Sequence, residues 1–223
     1  MITADGSTTI HIPEWDEQYH SKHGAIQEAK HVFIKNGLAL FPNQRISILE
    51  IGFGTGLNCF ITFLEAQKMN LAIDYVGVEA YPVVSEEVEK MNYVNQLNAG
   101  EFSADFNQMH QQDWELKSDL SPDFSLEKRK KFFNEINDEN KFNLIYFDAF
   151  GARVQPELWT EEIFEKMYKS LKNDGVLVTY SAKGSVRRAM LAVGFLVEKL
   201  PGPPGKREML RAKKGPLTPE GGI

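Results

Sequence analysis

The sequence predicts an α/β fold built on one doubly wound, mostly parallel sheet with an antiparallel C-terminal edge. Three observations support this prediction. Short apolar runs alternate with longer segments of helical spacing, which is typical of β-α-β units. A glycine-rich turn at 52–56 follows the buried run at 46–51. The last two strand segments are joined by a Pro/Gly turn at 201–205 and are therefore expected to pair antiparallel.

The first half of the chain begins with an extended segment. Residues 1–13 alternate in polarity and predict an arm or a hairpin, and residues 24–35 carry apolar side chains at helical spacing. Asn36-Gly37 supplies a left-handed cap for that helix. The remaining segments of this half are predicted as strands at 45–51 and 73–78 and as helices at 59–69 and 84–97.

The second half contains the strongest strand, at 142–148, whose apolar composition predicts burial on both faces. Pro156 is a favoured first-turn residue and begins a helix that is predicted to run to residue 171. The other segments are predicted as helices at 104–110, 131–137 and 186–192, as strands at 124–128, 176–180, 195–200 and 208–212, and as a loop at 114–122.

The length and composition narrow the class of protein. The 223 residues fit one domain, which we expect to cover 1–214, with 1–44 as an arm and helix packed on it and 215–223 as a disordered tail. No apolar run approaches the ~20 residues of a membrane span, and the polar N-terminus lacks the apolar core of a signal peptide. The single cysteine, Cys59, favours a reducing compartment such as the cytoplasm.

The charges are unevenly distributed along the chain. A formal net charge of −6 argues against a protein that coats nucleic acid non-specifically. Residues 183–214 nevertheless hold nine Lys or Arg against two Glu. A local basic face is therefore compatible with the acidic total.

The glycine turn predicts a site for a nucleotide-like ligand. Gly52, Gly54 and Gly56 leave bare main chain for a ligand, and Asn58 and the N-terminus of the following helix supply donors. The third glycine comes one residue too early for the dinucleotide pattern. Together with Glu50 it gives Glu-x-Gly-x-Gly-x-Gly, which resembles the first motif of the class I S-adenosylmethionine-dependent methyltransferases, whose fold is Rossmann-like.

Under that resemblance the expected cofactor is S-adenosylmethionine, and the turn, including Phe53, approaches its methionine part. Glu79 ends the next predicted strand, where its carboxylate can accept hydrogen bonds from two ribose hydroxyls. The alternative for the glycines is a tight turn that serves only stability.

Asp148 and Phe150 are the candidate catalytic residues. They lie at the end of the strand at 142–148, at the sheet edge where ligands bind in doubly wound folds. A carboxylate there can position an amine nucleophile and can take its proton, and an aromatic ring can face a sulfonium cation. The alternative for Asp148 is a cap on the loop that follows it.

A longer run narrows the family: Asp148-Ala149-Phe150-Gly151-Ala152-Arg153-Val154-Gln155-Pro156-Glu157-Leu158-Trp159. It resembles the Asp-x-Phe…Pro-(Asp/Glu)-(Met/Leu)-Trp motif of the MnmC-type tRNA methyltransferase domain. Further matches lie at 52–58, 181–188 and 205–210, and Tyr19-x-Ser21 with Glu28-Ala29-x-His31-Val32-Phe33 extends them to the N-terminal helix. The resemblance therefore covers roughly 15–212.

The resemblance implies methyl transfer to the aminomethyl nitrogen of 5-aminomethyl-2-thiouridine at the tRNA wobble position. In many members a flavin-dependent oxidase domain prepares this amine. The sequence ends at Ile223 without such a domain, so a separate oxidase or upstream modification enzymes are expected to supply the amine. The anticodon loop of tRNA is the expected partner, and no membrane partner is expected.

One position departs from the family pattern. After the third strand the family places an Asp that contacts adenine, whereas this sequence has Lys131-Phe132 at that place. We therefore expect stacking or backbone contacts to hold adenine, and we assign no adenine-contacting residue.

The basic C-terminal stretch is the predicted tRNA-binding segment. Arg187, Arg188, Lys206 and Arg207 are candidate phosphate contacts, with an ordinary solvated surface as the alternative. Phe150 and Trp159 are available to stack on a flipped base, although Trp159 fits the core better.

The sequence predicts no metal site, because the five histidines lack metal-ligand spacing. Two other functions stay open: a class I methyltransferase acting on a small amine or a protein, and a non-catalytic nucleotide-binding module.

Overall fold

The computed structural model describes residues 1–13 and 15–215. Of the predicted disordered tail, residues 216–223 lie outside the described residues. The N-terminal arm contains an isolated bridge between Ile2 and Thr8 and an antiparallel hairpin of β1 (His11–Ile12) and β2 (Glu17–Gln18). The hairpin thus extends beyond the predicted arm.

An eight-stranded sheet forms the centre of the fold. Its strands are β3 (Arg45–Ile51), β4 (Ala72–Glu79), β5 (Lys117–Ser121), β6 (Phe124–Lys130), β7 (Phe142–Phe147), β8 (Leu171–Thr179), β9 (Phe195–Pro201) and β10 (Glu208–Lys214). The strand order is β5-β6-β4-β3-β7-β8-β10-β9. The strands from β6 to β8 in this order run parallel, and β5, β10 and β9 pair antiparallel. The predicted fold class is confirmed.

Helices cover both faces of the sheet. They are α1 (Ala25–Ala29), α2 (Leu57–Lys68), α3 (Ser85–Val88), α4 (Tyr93–Gln96), α5 (Ser103–Gln111), α6 (Glu161–Ser170) and α7 (Gly184–Ala192). Successive strand residues point to opposite faces. Ile46 and Ile48 of β3 therefore pack in the apolar cluster that contains α1, α2 and α5, whereas Leu49 and Ile51 pack with α6 and α7. No helix within 1–13 and 15–215 is long and apolar enough to cross a membrane.

The predicted loop at 114–122 is wrong, because β5 occupies Lys117–Ser121. This strand lies at the edge of the sheet and exposes Lys117 and Asp119. Charged side chains are usual on edge strands, where they discourage pairing with other chains. The polar composition of this segment therefore led to the prediction of a loop.

The predicted helix at 131–137 is also wrong. Here β6 continues to Lys130, and only a single 3-10 turn follows, at Phe133–Glu135. The strand tolerates its charges because they are paired: Arg129 binds Glu127 at 2.7 Å and Asp138 at 2.8 Å, and Lys128 donates to the carbonyl of His110 at 2.8 Å.

Three predicted helices differ from the observed ones in continuity or in helix type. The helix at 84–97 is divided into α3 and α4, because Asn92 exchanges hydrogen bonds of 2.8 and 3.0 Å with Thr8 of the arm. The helix at 24–35 begins as α1 and continues as a π-helix over Lys30–Lys35. Its predicted left-handed cap is wrong, because Asn36 has φ −97° and Gly37 has φ −122°. The helix at 156–171 begins as a 3-10 turn over Pro156–Trp159, after which Thr160 caps α6.

The topology brings three strand ends together. Because β3 lies between β4 and β7, Gly52 after β3, Glu79 at the end of β4 and Asp148 after β7 meet at one sheet edge. Gly77 in β4 lies directly under the ring of Phe53, where a Cβ atom would overlap that ring. The glycine turn can therefore pack closely on the sheet.

Candidate active site

The glycine turn is a tight loop anchored to β4. The backbone N–H groups of Gly52 and Phe53 both donate to the carbonyl of Val78, at 3.0 and 3.1 Å. Gly52 has φ +88°, and a Cβ atom there would lie 2.7 Å from the carbonyl oxygen of Asp148. A side chain at this position is excluded by both the backbone conformation and the neighbouring strand end.

Asn58, in the first turn of α2, joins two carboxylates. Its Nδ2 donates to Glu50 Oε1 at 2.9 Å and to Asp148 Oδ2 at 2.7 Å, and Tyr75 donates its hydroxyl to Glu50 Oε2 at 2.9 Å. Burial raises the pKa of Glu50 well above its usual value. Glu50 is absent from the described residues that line the cavity, and Asn58 connects it to the cavity wall.

Asp148 lies in the same cavity as the glycine turn. Burial raises its pKa to about 7, and the charge of Glu28 adds to this rise. The hydrogen bond from Asn58 and the charge of Lys206 oppose it. The carboxyl group therefore changes its protonation state near neutral pH, as groups at functional sites often do.

Glu79 closes the other side of the turn. Its two carboxylate oxygens accept hydrogen bonds from the backbone N–H groups of Gly54 at 3.1 Å and Tyr81 at 3.0 Å. Burial raises its pKa, although these backbone donors lower it in part. Two backbone donors thus hold the carboxylate at the cavity wall.

A cavity of about 1030 Å³ connects these groups. Gly52, Phe53, Gly54, Asn58, Glu79, Asp148 and Phe150 all line it, whereas Gly56 does not. Trp159 is buried and donates its indole N–H to the carbonyl of Phe150 at 2.8 Å, so it supports the loop from the core. Residues of the arm and hairpin, including Trp15 and Tyr19, complete the cavity wall.

The four predicted tRNA contacts separate into two groups. Arg188 on α7 and Arg207 in the β9–β10 turn are exposed, and Arg187 is half-buried. Lys206 instead lines the cavity, where its Nζ lies 2.7 Å from Glu28 Oε2 and 3.9 Å from the centre of the Tyr180 ring. The Glu28–Lys206 pair joins residues distant in sequence, so spacing along the chain could not indicate it.

Comparison with known proteins identifies the family. A protein-family model with the description S-adenosyl-L-methionine-dependent methyltransferase matches residues 92–215, which is more than half of the chain. The chain belongs to the S-adenosyl-L-methionine-dependent methyltransferases. Its cofactor is accordingly S-adenosylmethionine, as expected from the glycine turn.

Curated relatives of this methyltransferase carry the name tRNA 5-methylaminomethyl-2-thiouridine biosynthesis bifunctional protein MnmC. The protein of Hydrogenovibrio crunogenus is 28% identical over 214 residues, which cover 87% of this chain and 31% of that protein. A protein of Leptospira interrogans is 29% identical over 237 residues, with 94% and 34% coverage. The chain thus spans about a third of the length of these relatives, and its resemblance to the methyltransferase part of MnmC is confirmed.

Solved structures share the fold of this methyltransferase. The crystal structure of MnmC2 from Aquifex aeolicus matches with a TM-score of 0.74 and 25% identity, covering 99% of this chain and 72% of that one. Spermidine synthase from Thermotoga maritima matches with a TM-score of 0.57 and 18% identity, over 94% and 69% of the two chains. The second match shows a shared fold alone.

Proposed function

We propose that this methyltransferase transfers a methyl group to the aminomethyl nitrogen of 5-aminomethyl-2-thiouridine at the wobble position of tRNA. The observation that carries the proposal is the half-buried Asp148 carboxylate, held by Asn58 in the cavity that the glycine turn and Glu79 also line. The names of the MnmC relatives supply the substrate class.

The chemistry of the cavity residues fits S-adenosylmethionine. Asn58 Oδ1 is buried and has no hydrogen-bond partner among the described residues, which leaves an acceptor for the ammonium group of the methionine part. The carboxylate of Glu79 is suited to a ribose diol. Within the described part of the chain, acidic residues of the cavity wall such as Glu28 and Asp148 outnumber the lysines, Lys22 and Lys206. This balance favours a cationic ligand.

Asp148 and Phe150 are the proposed catalytic residues. S-adenosylmethionine, when bound, supplies an electrophilic methyl group on a positively charged sulfur. Asp148 orients the amine so that its lone pair faces that methyl group, and its carboxylate accepts the proton that the nitrogen loses. Phe150 contributes an aromatic ring that faces developing and existing positive charge.

The segments around the site indicate how the chain is organised and how it contacts tRNA. We propose that residues 1–214 act as a single domain with 1–44 packed on it, supported by the Thr8–Asn92 hydrogen bonds and the Glu28–Lys206 ion pair. Arg187, Arg188 and Arg207 are the proposed phosphate contacts to the anticodon arm, and Lys206 acts inside the cavity. A separate oxidase or upstream enzymes supply the aminomethyl group, and the place of action is the cytoplasm.

A methyl-transfer assay tests the function. The purified protein is incubated with S-adenosylmethionine labelled in its methyl group and with tRNA that carries either 5-aminomethyl-2-thiouridine or 2-thiouridine at the wobble position. We expect label only in the first tRNA. Label in both tRNAs, or in neither while the protein binds the cofactor, contradicts the proposed substrate. A parallel reaction with small primary amines detects the broader methyltransferase activity.

A further inference from the structure

The N-terminal hairpin brings an aromatic residue to the edge of the cavity. Trp15 lies in the turn between β1 and β2, lines the cavity and is 38% exposed. Tyr19, which directly follows β2, is half-buried and lines the cavity as well. A large aromatic side chain at a cavity edge is available for contact with a ligand.

Trp15 and Tyr19 both contact Phe150, and these three residues are called the aromatic cluster below. The ring centres of Trp15 and Phe150 are 5.5 Å apart at an interplanar angle of 81°, and those of Tyr19 and Phe150 are 5.0 Å apart at 79°. Both contacts are edge-to-face. The cluster therefore assembles rings from two distant segments around the residue that follows the Asp148 strand end.

An ion pair joins the hairpin to the loop that follows β7. Arg153, three residues after Phe150, places its Nη2 2.9 Å from Glu17 Oε2, and it also donates to the carbonyl of Asp16 at 3.5 Å. The two loops that carry the aromatic cluster are thus joined close to Trp15. Because the side chain of Arg153 is 63% exposed, water screens the pair, and it contributes at most about 1 kcal/mol to stability.

The aromatic cluster borders the cofactor residues on one side, because the Tyr19 ring lies next to Gly54 of the glycine turn. Glu79 ends β4 on one side of β3, whereas Asp148 and Phe150 follow β7 on the other side. The exposed rings of Tyr81 and Phe132 lie near the β4 and β6 ends, 5.9 Å apart. A ring bound against Trp15 and Phe150 would accordingly belong to the methyl acceptor.

We propose that Trp15, supported by Tyr19 and Phe150, is the stacking site for the pyrimidine ring of the acceptor nucleoside. This inference rests on the proposed function. An unpaired base offers a planar, uncharged π-face, and proteins that bind single-stranded loops commonly stack such bases on aromatic side chains. Stacking beside Asp148 positions the substituent of the ring while the tRNA backbone is held elsewhere.

Binding of a small RNA tests the stacking site. The probe is an anticodon stem-loop that carries 5-aminomethyl-2-thiouridine, and the reference probe is the same stem-loop with an abasic wobble position. Affinities are measured with S-adenosylhomocysteine present, so that the cofactor site is filled and no turnover occurs. We expect the wild-type protein to prefer the base-bearing loop by about tenfold, the scale of one base–aromatic stack.

Three variants distinguish a loss of base stacking from a loss of the folded structure. Trp15→Leu keeps an apolar side chain but removes the plane, and we expect it to lose the preference, whereas Trp15→Phe should retain most of it. Tyr81→Leu is the matched control at the opposite end of the cavity, and it should keep the preference. Trp15→Leu should also bind S-adenosylhomocysteine as the wild type does, which reports an intact fold.

The outcomes distinguish this inference from the proposed function. A wild-type protein without any preference, or a Trp15→Leu variant with the full preference, overturns the stacking site even if methyl transfer is observed. A preference that depends on Trp15, without methyl transfer to the same RNA, supports the stacking site and contradicts the proposed function.

Discussion

The Nδ2 atom of Asn58 lies 2.7 Å from Asp148 Oδ2 and donates a hydrogen bond to it. The same atom donates to Glu50, so one amide orients a carboxylate at the end of β7 from a helix that begins after β3. This bond favours the charged form of Asp148, while burial opposes it. Burial and the charge of Glu28 outweigh this bond and the charge of Lys206, which accounts for a pKa of Asp148 near neutral pH.

Replacement of Asp148 by Asn tests its catalytic role. The amide oxygen can still accept the hydrogen bond from Asn58, so the change removes the negative charge with little change of shape. We expect the rate of methyl transfer to fall by about 10²–10⁴, while the affinity for S-adenosylmethionine changes little. The matched control is Glu162→Gln, an exposed carboxylate that also lines the cavity. Normal activity of Asp148→Asn would remove this residue from the mechanism.

The pKa of Asp148 predicts a pH dependence of activity. Because its pKa is raised to about 7, the carboxylate that accepts the proton is depleted below this pH. We expect the turnover rate to rise as the pH increases through about 7, and the residual rate of Asp148→Asn to lack this rise. Identical pH profiles for the two proteins would show that another group controls the wild-type profile.

The same shift predicts a pH dependence of stability. The folded-state pKa of Asp148 lies above its value of 3.8 in a model peptide, so the folded protein binds the proton more tightly than the unfolded chain does. This group therefore lowers the free energy of unfolding as the pH rises from about 4 to about 7. Asp148→Asn should gain stability relative to the wild type over this interval. Denaturant unfolding at several pH values measures it, and a constant difference contradicts the assignment.

Gly77 is expected to be required for packing of the glycine turn. A Cβ atom there overlaps the ring of Phe53, and overpacking of this kind costs about 1–3 kcal/mol. Gly77→Ala should lower the free energy of unfolding by this amount and weaken cofactor binding. Gly100→Ala is the control, because nothing lies within 4 Å of a Cβ atom at that position. Equal stability of the two variants would refute the packing argument.

Charge reversal at Arg187 and Arg188 tests the proposed tRNA surface. We expect weaker tRNA binding and a plot of log affinity against log salt that is less steep, by roughly one unit for each phosphate that the protein no longer neutralises. Lys68→Glu is the control, because Lys68 ends α2, roughly 18 Å along the helix from the glycine turn. An unchanged slope in the arginine variants would place the RNA on another surface.

The sequence predicted those parts of the site that depend on residues close together along the chain. The buried runs that become β3 and β7 identified the strand ends, and Asp148 could be placed because parallel strands end at one edge. Trp15 could not be placed, since the hairpin reaches the cavity only through tertiary contacts such as Arg153–Glu17. Lys206 was assigned to phosphate from its basic surroundings, whereas folding pairs it with Glu28 from the N-terminal helix. The residues next to Lys206 in the sequence do not indicate this partner.

The position of the transferred methyl group tests the central claim most directly. Wild-type protein is incubated with S-adenosylmethionine and tRNA carrying 5-aminomethyl-2-thiouridine, and the tRNA is digested to nucleosides for mass spectrometry. We predict conversion of this nucleoside to 5-methylaminomethyl-2-thiouridine, and no conversion with Asp148→Asn in the same time. A methyl group on any other atom or nucleoside, or unchanged 5-aminomethyl-2-thiouridine with cofactor-bound protein, would contradict the account.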